Sequence, residues 1–163
     1  MLVNSTRFGE LEADESAIFT FPMGLLGFGK LRRFIVLDHR EDSPFKWLQS
    51  LEDPDLAFII TDPLYFKRDF HIAVRRQEVG VIEPENEEDL VVSVIMTVPA
   101  DPQQMSANLL APLIFNMSNR KAMQYVLTDS RYPVKYFVLQ ASPGGFSEPP
   151  AGPNDMLRSI SLR

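Results

Sequence analysis

Residues 91–128 contain three stretches in which apolar and polar side chains alternate, and this alternation strongly constrains the fold. The first stretch places four apolar side chains on one face: Val92, Val94, Met96 and Val98. The second stretch runs from Leu109 to Met117, and the third carries Met123, Tyr125 and Leu127. A period of two indicates strands with one buried face. We therefore predict three antiparallel strands whose shared apolar face must be covered by the rest of the chain.

Shorter apolar runs precede this region, at residues 34–37, 45–51 and 56–60, and each is followed by a turn rich in Pro or Asp. Strands that recur about every 11 residues between such turns are typical of an all-β sandwich or barrel. Phe70, Ile72 and Val74 alternate as one more strand, which we expect to be exposed. With 163 residues and 45% hydrophobic content, the chain fits one domain. The prediction is a mostly β, single-domain fold of short, mainly antiparallel strands.

A glycine-rich loop lies within residues 21–34. Gly24 and Gly27 supply the backbone freedom that a tight turn needs, and Leu25, Leu26 and Phe28 place apolar groups around them. Neither the G-x-G-x-x-G nor the G-K-[ST] pattern of a phosphate-binding loop is present. We predict a structural turn without a cofactor.

Composition narrows the possible environments and partners. The chain has no Cys, no apolar run of the roughly 20 residues that span a bilayer, and no basic and apolar leader at its start. These features predict a cytoplasmic protein without membrane contact. Lys and Arg total 16 against 22 Asp and Glu, a net charge of −6. Because nucleic-acid binding requires basic density, we predict no direct contact with nucleic acid and favour a basic protein partner.

Residues with catalytic potential are few. His39 and His71 have no metal-ligand spacing, and Ser130 lacks a G-x-S-x-G elbow. Gln49 and Asn108 lie within or before apolar strands, where a buried amide is expected to hydrogen-bond neighbouring backbone. We predict that the protein is not an enzyme and holds no cofactor or metal.

Residues 83–89 form a dense acidic segment with no basic residue. Its carboxylates are Glu83, Glu85, Glu87, Glu88 and Asp89, and a second acidic turn holds Glu52, Asp53 and Asp55. A solvated loop and a docking patch for a basic partner are both compatible with this pattern.

The chain changes character after residue 140. Residues 141–153 hold four of the 13 prolines and three of the eight glycines. Such a composition buries little apolar surface, so we divide the chain into a domain, residues 1–140, and a flexible tail, residues 141–163. Near its end, Met156, Leu157 and Ile160 lie on one side of a possible short helical turn.

Several short motifs occur together along most of the chain. They comprise Phe21-Pro22-x-Gly24-x-x-Gly27-Phe28, Ser43-Pro44-Phe45-x-Trp47-Leu48-Gln49-Ser50, Asp53-Pro54-x-x-Ala57-Phe58, Asp62-Pro63, Thr97-Val98-Pro99, Ala107-Asn108-Leu109-x-Ala111-Pro112, Asn119-Arg120 and Gln124. Their order and spacing over residues 6–137 resemble the FliW family of bacterial flagellar assembly factors.

The resemblance implies a compact β-barrel-like domain without enzymatic activity. It also implies two alternative partners: flagellin, held in the cytoplasm before export, and CsrA, an RNA-binding translational repressor. In this family the released factor binds CsrA and allosterically antagonises its binding to flagellin mRNA.

Two hypotheses about binding surfaces follow. The acidic segment, with Glu52, Asp53 and Asp55, is expected to face CsrA, because an acidic surface attracts an RNA-binding protein. A proline within a strand lies at an edge or a bulge, so Asn108 and Pro112 mark an edge that could accept an added strand from a partner. Equally, Pro112 could only block edge-to-edge aggregation.

Three alternatives to the partner-switching function remain open from the residues. The chain could be a chaperone for flagellin alone, or a β-barrel that binds a small apolar ligand, since 12 Phe and 7 Met could line a cavity or fill a core. An enzyme that uses the acidic turns to hold a divalent metal is the third alternative.

Overall fold

The computed structural model describes residues 2–39, 43–128, 131–141 and 159–163. The strands of this part are β1 (Leu2–Ser5), β2 (Gly9–Glu12), β3 (Ile18–Thr20), β4 (Arg33–Asp38), β5 (Phe45–Ser50), β6 (Ala57–Thr61), β7 (Ile72–Val74), β8 (Leu90–Thr97), β9 (Ser106–Ala107), β10 (Leu113–Asn116), β11 (Lys121–Gln124), β12 (Tyr136–Phe137) and β13 (Ile160–Leu162). One short α-helix, α1, covers Val138–Ala141. Single 3₁₀ turns cover Glu15–Ala17, Pro63–Tyr65, Gly80–Ile82, Glu87–Asp89 and Pro102–Gln104.

Seven of these strands close into a barrel in the order β8, β10, β11, β3, β4, β5, β6 and back to β8. Closure is possible because β8 pairs with β10 through Leu90 to Ser93 and with β6 through Val94 to Met96. The β11–β3 pairing is parallel, through Lys121 and Thr20, and the other barrel pairings are antiparallel. The predicted mostly β, barrel-like fold is confirmed.

Every barrel strand contributes an apolar side chain to one interior cluster. Its members on the strands include Phe19, Phe34, Leu48, Phe58, Ile60, Ile95, Leu113, Phe115 and Ala122. Because strand side chains alternate, the intervening residues face outward. Aromatic rings meet edge to face inside the barrel, with centroids of Phe19 and Phe115 4.9 Å apart. These side chains therefore fill most of the barrel interior.

The glycine-rich loop closes one end of the barrel. Phe21 and Leu25 are buried in the interior cluster, and the ring of Phe28 meets that of Phe58 at 5.5 Å. The N–H of Leu26 donates to Oε1 of Gln124 at 2.9 Å, which ties the loop to the end of β11. The loop is thus the predicted structural turn, and its apolar residues act as a plug.

Two outer layers cover the barrel wall. The β1–β2 hairpin and the residue after it pack Val3 and Ala13 against Ile35. On another side, residues 64–82 and the parallel pair β7–β13 pack against the outward side chains of β8. The expectation that β7 is exposed is wrong: Ile72 and Val74 are buried, because they face this second cluster.

The final residues also depart from the prediction. Ile160, predicted on a short helical turn of a flexible tail, lies in β13 and is 1% exposed. Ser159 O accepts the N–H of Ile72 at 2.9 Å, so the end of the predicted tail belongs to the domain. Met156 and Leu157 lie outside the described residues.

Asp62 follows β6, and its Oδ1 accepts the N–H of Leu64 at 2.9 Å. Burial raises the pKa of this carboxyl above its ordinary value, and the Leu64 N–H opposes the rise only in part. An acid with a raised pKa in the folded state stabilises the fold less as the pH rises through that pKa. We therefore expect Asp62→Asn, which keeps the acceptor, to increase the free energy of unfolding at neutral pH.

The gain is expected to shrink as the pH falls toward the ordinary aspartate pKa of 3.8, because the folded-state carboxyl, with its raised pKa, is then neutral and burial no longer penalises a charge. Urea unfolding of both chains at a series of pH values from about 7 to about 4 measures this trend. A gain that does not change with pH would contradict the assignment of buried charge to Asp62.

Candidate partner-binding site

The acidic segment, residues 83–89, is held in place by side chains distant in sequence. Asn116, 1% exposed, donates from Nδ2 to the carbonyl of Ile82 at 2.9 Å. Arg76 donates from Nη1 to the carbonyls of Pro84 and Glu85 at 3.0 and 3.1 Å. Glu83 has a φ of 49°, which turns the chain away from the preceding 3₁₀ turn. The acidic segment is therefore attached to the barrel by specific hydrogen bonds and is not merely a solvated loop.

The carboxylates of this segment have different surroundings. Glu83 forms an ion pair with Lys121 Nζ at 3.1 Å, and Glu87 Oε1 accepts the N–H of Leu162 at 2.8 Å. Glu85 and Glu88 are exposed, and within the described part of the chain their side chains form no hydrogen bond or ion pair. Negative charge available to a partner thus concentrates at Glu85 and Glu88.

The second acidic turn is largely occupied by internal contacts. Partial desolvation raises the pKa of Glu52, but the N–H groups of Arg33 and Arg32 and the Arg33 guanidinium hold that pKa below its ordinary value. Asp53 Oδ1 accepts the N–H of Asp55 at 3.0 Å, and Asp55 accepts the hydroxyl of Thr6. These carboxylates fasten turns to one another.

The two acidic sets lie at opposite ends of β8. Ile59 pairs with Met96 in antiparallel register, so the start of β6 and the turn before it lie beside the end of β8. The acidic segment instead directly precedes the start of β8. The structure therefore does not bring the two acidic sets together in one patch. A single negatively charged surface for one partner would need such a patch.

Asn108 and Pro112 do not mark a free strand edge, and that expectation is wrong. The N–H of Asn108 donates to Ile95 O, and the carbonyl of Pro112 accepts the N–H of Tyr125 at 2.8 Å. Asn108 Oδ1 accepts the N–H of Ala111 at 3.1 Å, so the predicted strand from residue 109 begins only at Leu113. Since β10 pairs with both β8 and β11, no edge is open here for an added strand. Partner contact through these two residues stays a prediction.

Gln49 is fully buried and connects the hairpin to the β5–β6 turn. Its Oε1 accepts the hydroxyl of Ser5 at 2.7 Å. Its Nε2 lies 3.0 to 3.3 Å from four carbonyl oxygens, those of Ser50, Asp53, Pro54 and Leu56. The expected role of this amide, hydrogen bonding to neighbouring backbone, is confirmed.

Trp47 also has a structural environment. Its Nε1 donates to His39 Nδ1 at 3.1 Å, and the Arg7 guanidinium lies 4.3 Å from the ring centroid. Phe8 meets the indole edge to face at 5.6 Å. Trp47 therefore anchors the hairpin turn on β5. Pro63, another residue of the family motifs, also has a structural role, because it begins the 3₁₀ turn that follows Asp62.

Arg76 and Asn116 were not singled out from the sequence, although they position the acidic segment. Asn116 carried a signal: an amide directly after the apolar run Leu113 to Phe115 is expected to be buried and bonded, as Gln49 is. For Arg76 the sequence contains no such signal, because its acceptors are backbone carbonyls, which every residue has.

Two features are absent from the described ranges. No helix in them is long and apolar enough to cross a bilayer. They contain no group of three or more His, Asp or Glu side chains arranged to hold a metal ion.

The closed seven-stranded barrel, with its plug loop and attached acidic segment, defines the class of protein: a small β-barrel domain. The model of the FliW protein family matches residues 2–138. The chain belongs to the FliW family, which confirms the resemblance carried by the motifs.

Relatives and a solved structure agree with this assignment. The flagellar assembly factor FliW of Caldicellulosiruptor saccharolyticus is 40% identical over 139 residues, which cover 85% of this chain and 91% of that protein. The FliW of Caldanaerobacter subterraneus subsp. tengcongensis is 34% identical over 148 residues, which cover 90% and 99%. A crystal structure of a flagellar assembly factor FliW matches with a TM-score of 0.77 at 28% identity, covering 85% of this chain and 96% of the other.

Proposed function

We propose that this protein is a cytoplasmic, non-enzymatic flagellar assembly factor that binds flagellin and, once released from it, binds the translational repressor CsrA. By binding CsrA it allosterically antagonises the binding of CsrA to flagellin mRNA. The observation that carries the proposal is family membership, since the family model covers nearly the whole barrel domain. The net charge of −6 supports a basic protein as partner.

The acidic segment is the surface we assign to CsrA. An RNA-binding protein carries a basic field, so exposed carboxylates accelerate its approach even when the final contact lies away from the surface that meets phosphates. Glu85 and Glu88 supply charge that no internal contact neutralises within the described residues. Arg76 and Asn116 hold the backbone at the start of the segment, from Ile82 to Glu85, which reduces the ordering required when a partner binds.

The test of the proposal is a titration of the protein against CsrA and flagellin of its own organism, separately and in competition. Binding of both, with flagellin displacing CsrA, is the expected result. Binding of flagellin alone would identify a flagellin chaperone without the regulatory arm. Binding of neither would overturn the proposed function, and native mass spectrometry for a co-purified apolar ligand would then test the ligand-binding alternative.

Reversing two charges tests the assigned surface. The variant Glu85→Lys/Glu88→Lys is expected to lower the association rate with CsrA about tenfold at low salt, because steering by the segment is lost. Stopped-flow mixing at low and high ionic strength measures the rate, and the difference is expected to vanish at high salt. Glu10→Lys/Glu15→Lys, which makes the same charge change on the hairpin side, is the matched control. An equal rate loss in the control would show that net charge alone, not this segment, attracts the partner.

A further inference from the structure

At the end of the barrel opposite the plug loop, no described residue covers the interior cluster. In the alternation of the strands, Lys46, Val91, Ser93 and Met117 share the inward face with the interior cluster, yet they lie at its margin. Val91 is 43% exposed and Met117 is 52% exposed. We call this opening the barrel mouth. An inward-facing apolar side chain that stays exposed indicates a surface left for another occupant.

The barrel mouth leads to an apolar recess. Phe19, Val36, Ile60 and Phe115 form its walls, and its volume is about 140 Å³. Cavities of about 150 Å³ with apolar walls hold one benzene-sized group. The recess therefore has room for one aromatic or branched aliphatic side chain, but not for a whole peptide segment.

The acidic segment borders this recess. The N–H of Met117 donates to the carbonyl of Asp89 at 2.8 Å, and Val91 follows Asp89 by two residues. Glu83 lies on the same side of the barrel, because it forms an ion pair with Lys121 and Lys121 pairs with Asn116 in the sheet. Lys46 is the basic group of the recess, and its Nζ is already paired with Asp38 at 3.0 Å. An apolar recess thus lies beside a negatively charged rim.

We infer that the barrel mouth receives one apolar side chain from a basic segment of the RNA-binding partner, whose cationic residues meet the acidic segment. The inference rests on the proposed function and adds the site and the chemistry of the contact. Charge complementarity selects the occupant, because an acidic rim repels an acidic segment and leaves an uncharged one without steering. Burial of the anchor determines how long the complex lasts, whereas the carboxylates determine how fast it forms.

The test replaces the two exposed apolar side chains of the barrel mouth by uncharged polar side chains of similar shape. In Val91→Thr/Met117→Gln, both positions are exposed, so the fold is expected to persist with an unchanged circular dichroism spectrum. We expect the dissociation rate of the CsrA complex to rise about tenfold while the association rate and its salt dependence stay as in the unmodified chain. Surface plasmon resonance measures both rates.

Matched substitutions at the plugged end provide the control. Met23 and Val126 are 70% and 49% exposed, and Met23→Gln/Val126→Thr makes the same chemical changes beside the plug loop. This control is expected to bind CsrA with unchanged rates. Unchanged dissociation from the mouth variant, or an equal change in the control, would overturn the inference and leave the proposed function intact. Failure of the unmodified chain to bind CsrA would overturn both.

Discussion

Gly24→Ala is expected to lower the free energy of unfolding by roughly 3 kcal/mol, since it combines backbone strain with a steric clash. Gly24 has a φ of 67°, which disfavours any residue with a Cβ. An added Cβ would lie 2.6 Å from the Cα of Gly29 and 2.7 Å from the carbonyl oxygen of Phe28. Both are backbone atoms, so the clash can be relieved only by moving the plug loop out of the barrel end.

Gly27→Ala is the matched control for this prediction. Gly27 has a φ of 82°, but an added Cβ meets nothing within 4 Å, so only the backbone strain of about 1–2 kcal/mol applies. Urea unfolding of the unmodified protein, Gly24→Ala and Gly27→Ala measures the loss of unfolding free energy in each variant. Equal losses for the two variants would show that the close approach of Gly24 to Gly29 does not matter for stability.

Gln49→Met is expected to destabilise the fold by about 3 kcal/mol, because it leaves buried groups without hydrogen bonds. Methionine has nearly the same shape, so the loss reports polar contacts rather than a cavity. The Ser5 hydroxyl would lose its acceptor, and the carbonyls around Nε2 would lose a donor. Thermal or urea unfolding provides the measurement.

Gln124→Met is the corresponding control at a partly buried position. Gln124 accepts from the N–H of Leu26 and donates to the carbonyl of Ala111 at 3.2 Å, where water can replace the lost contacts. We expect a loss of about 1 kcal/mol. A Gln49 variant no less stable than this control would refute the anchoring role of the buried amide.

The features that could be predicted from the sequence depend on local patterns. The glycine-rich loop and most strands follow from turn residues and alternation within a few positions. The bonding role of Gln49 follows from an amide within an apolar run. The motif combination then identified the family, which residue patterns alone could not.

The features that could not be predicted depend on contacts between distant residues. The sequence left a sandwich and a barrel open. The pairing of Lys121 with Thr20 joins β11 to β3, and without it the sheet would not close into a barrel. The burial of β7 and the return of Ile160 require a partner almost 90 residues away in sequence, and three residues carry too little pattern to show it. For the same reason, the acidic segment could be located, but its attachment through Arg76 and Asn116 could not.

The parallel pairing of β11 with β3 also bears on how the chain emerges from the ribosome. Until Lys121 has been synthesised, β3 has a neighbour on one side only, β4, and its other edge is unpaired. Long-range strand pairing of this kind slows folding, and unpaired edges favour association between nascent chains. Translation of most of the domain must therefore precede closure, so the interval before closure is when the protein is most prone to aggregate.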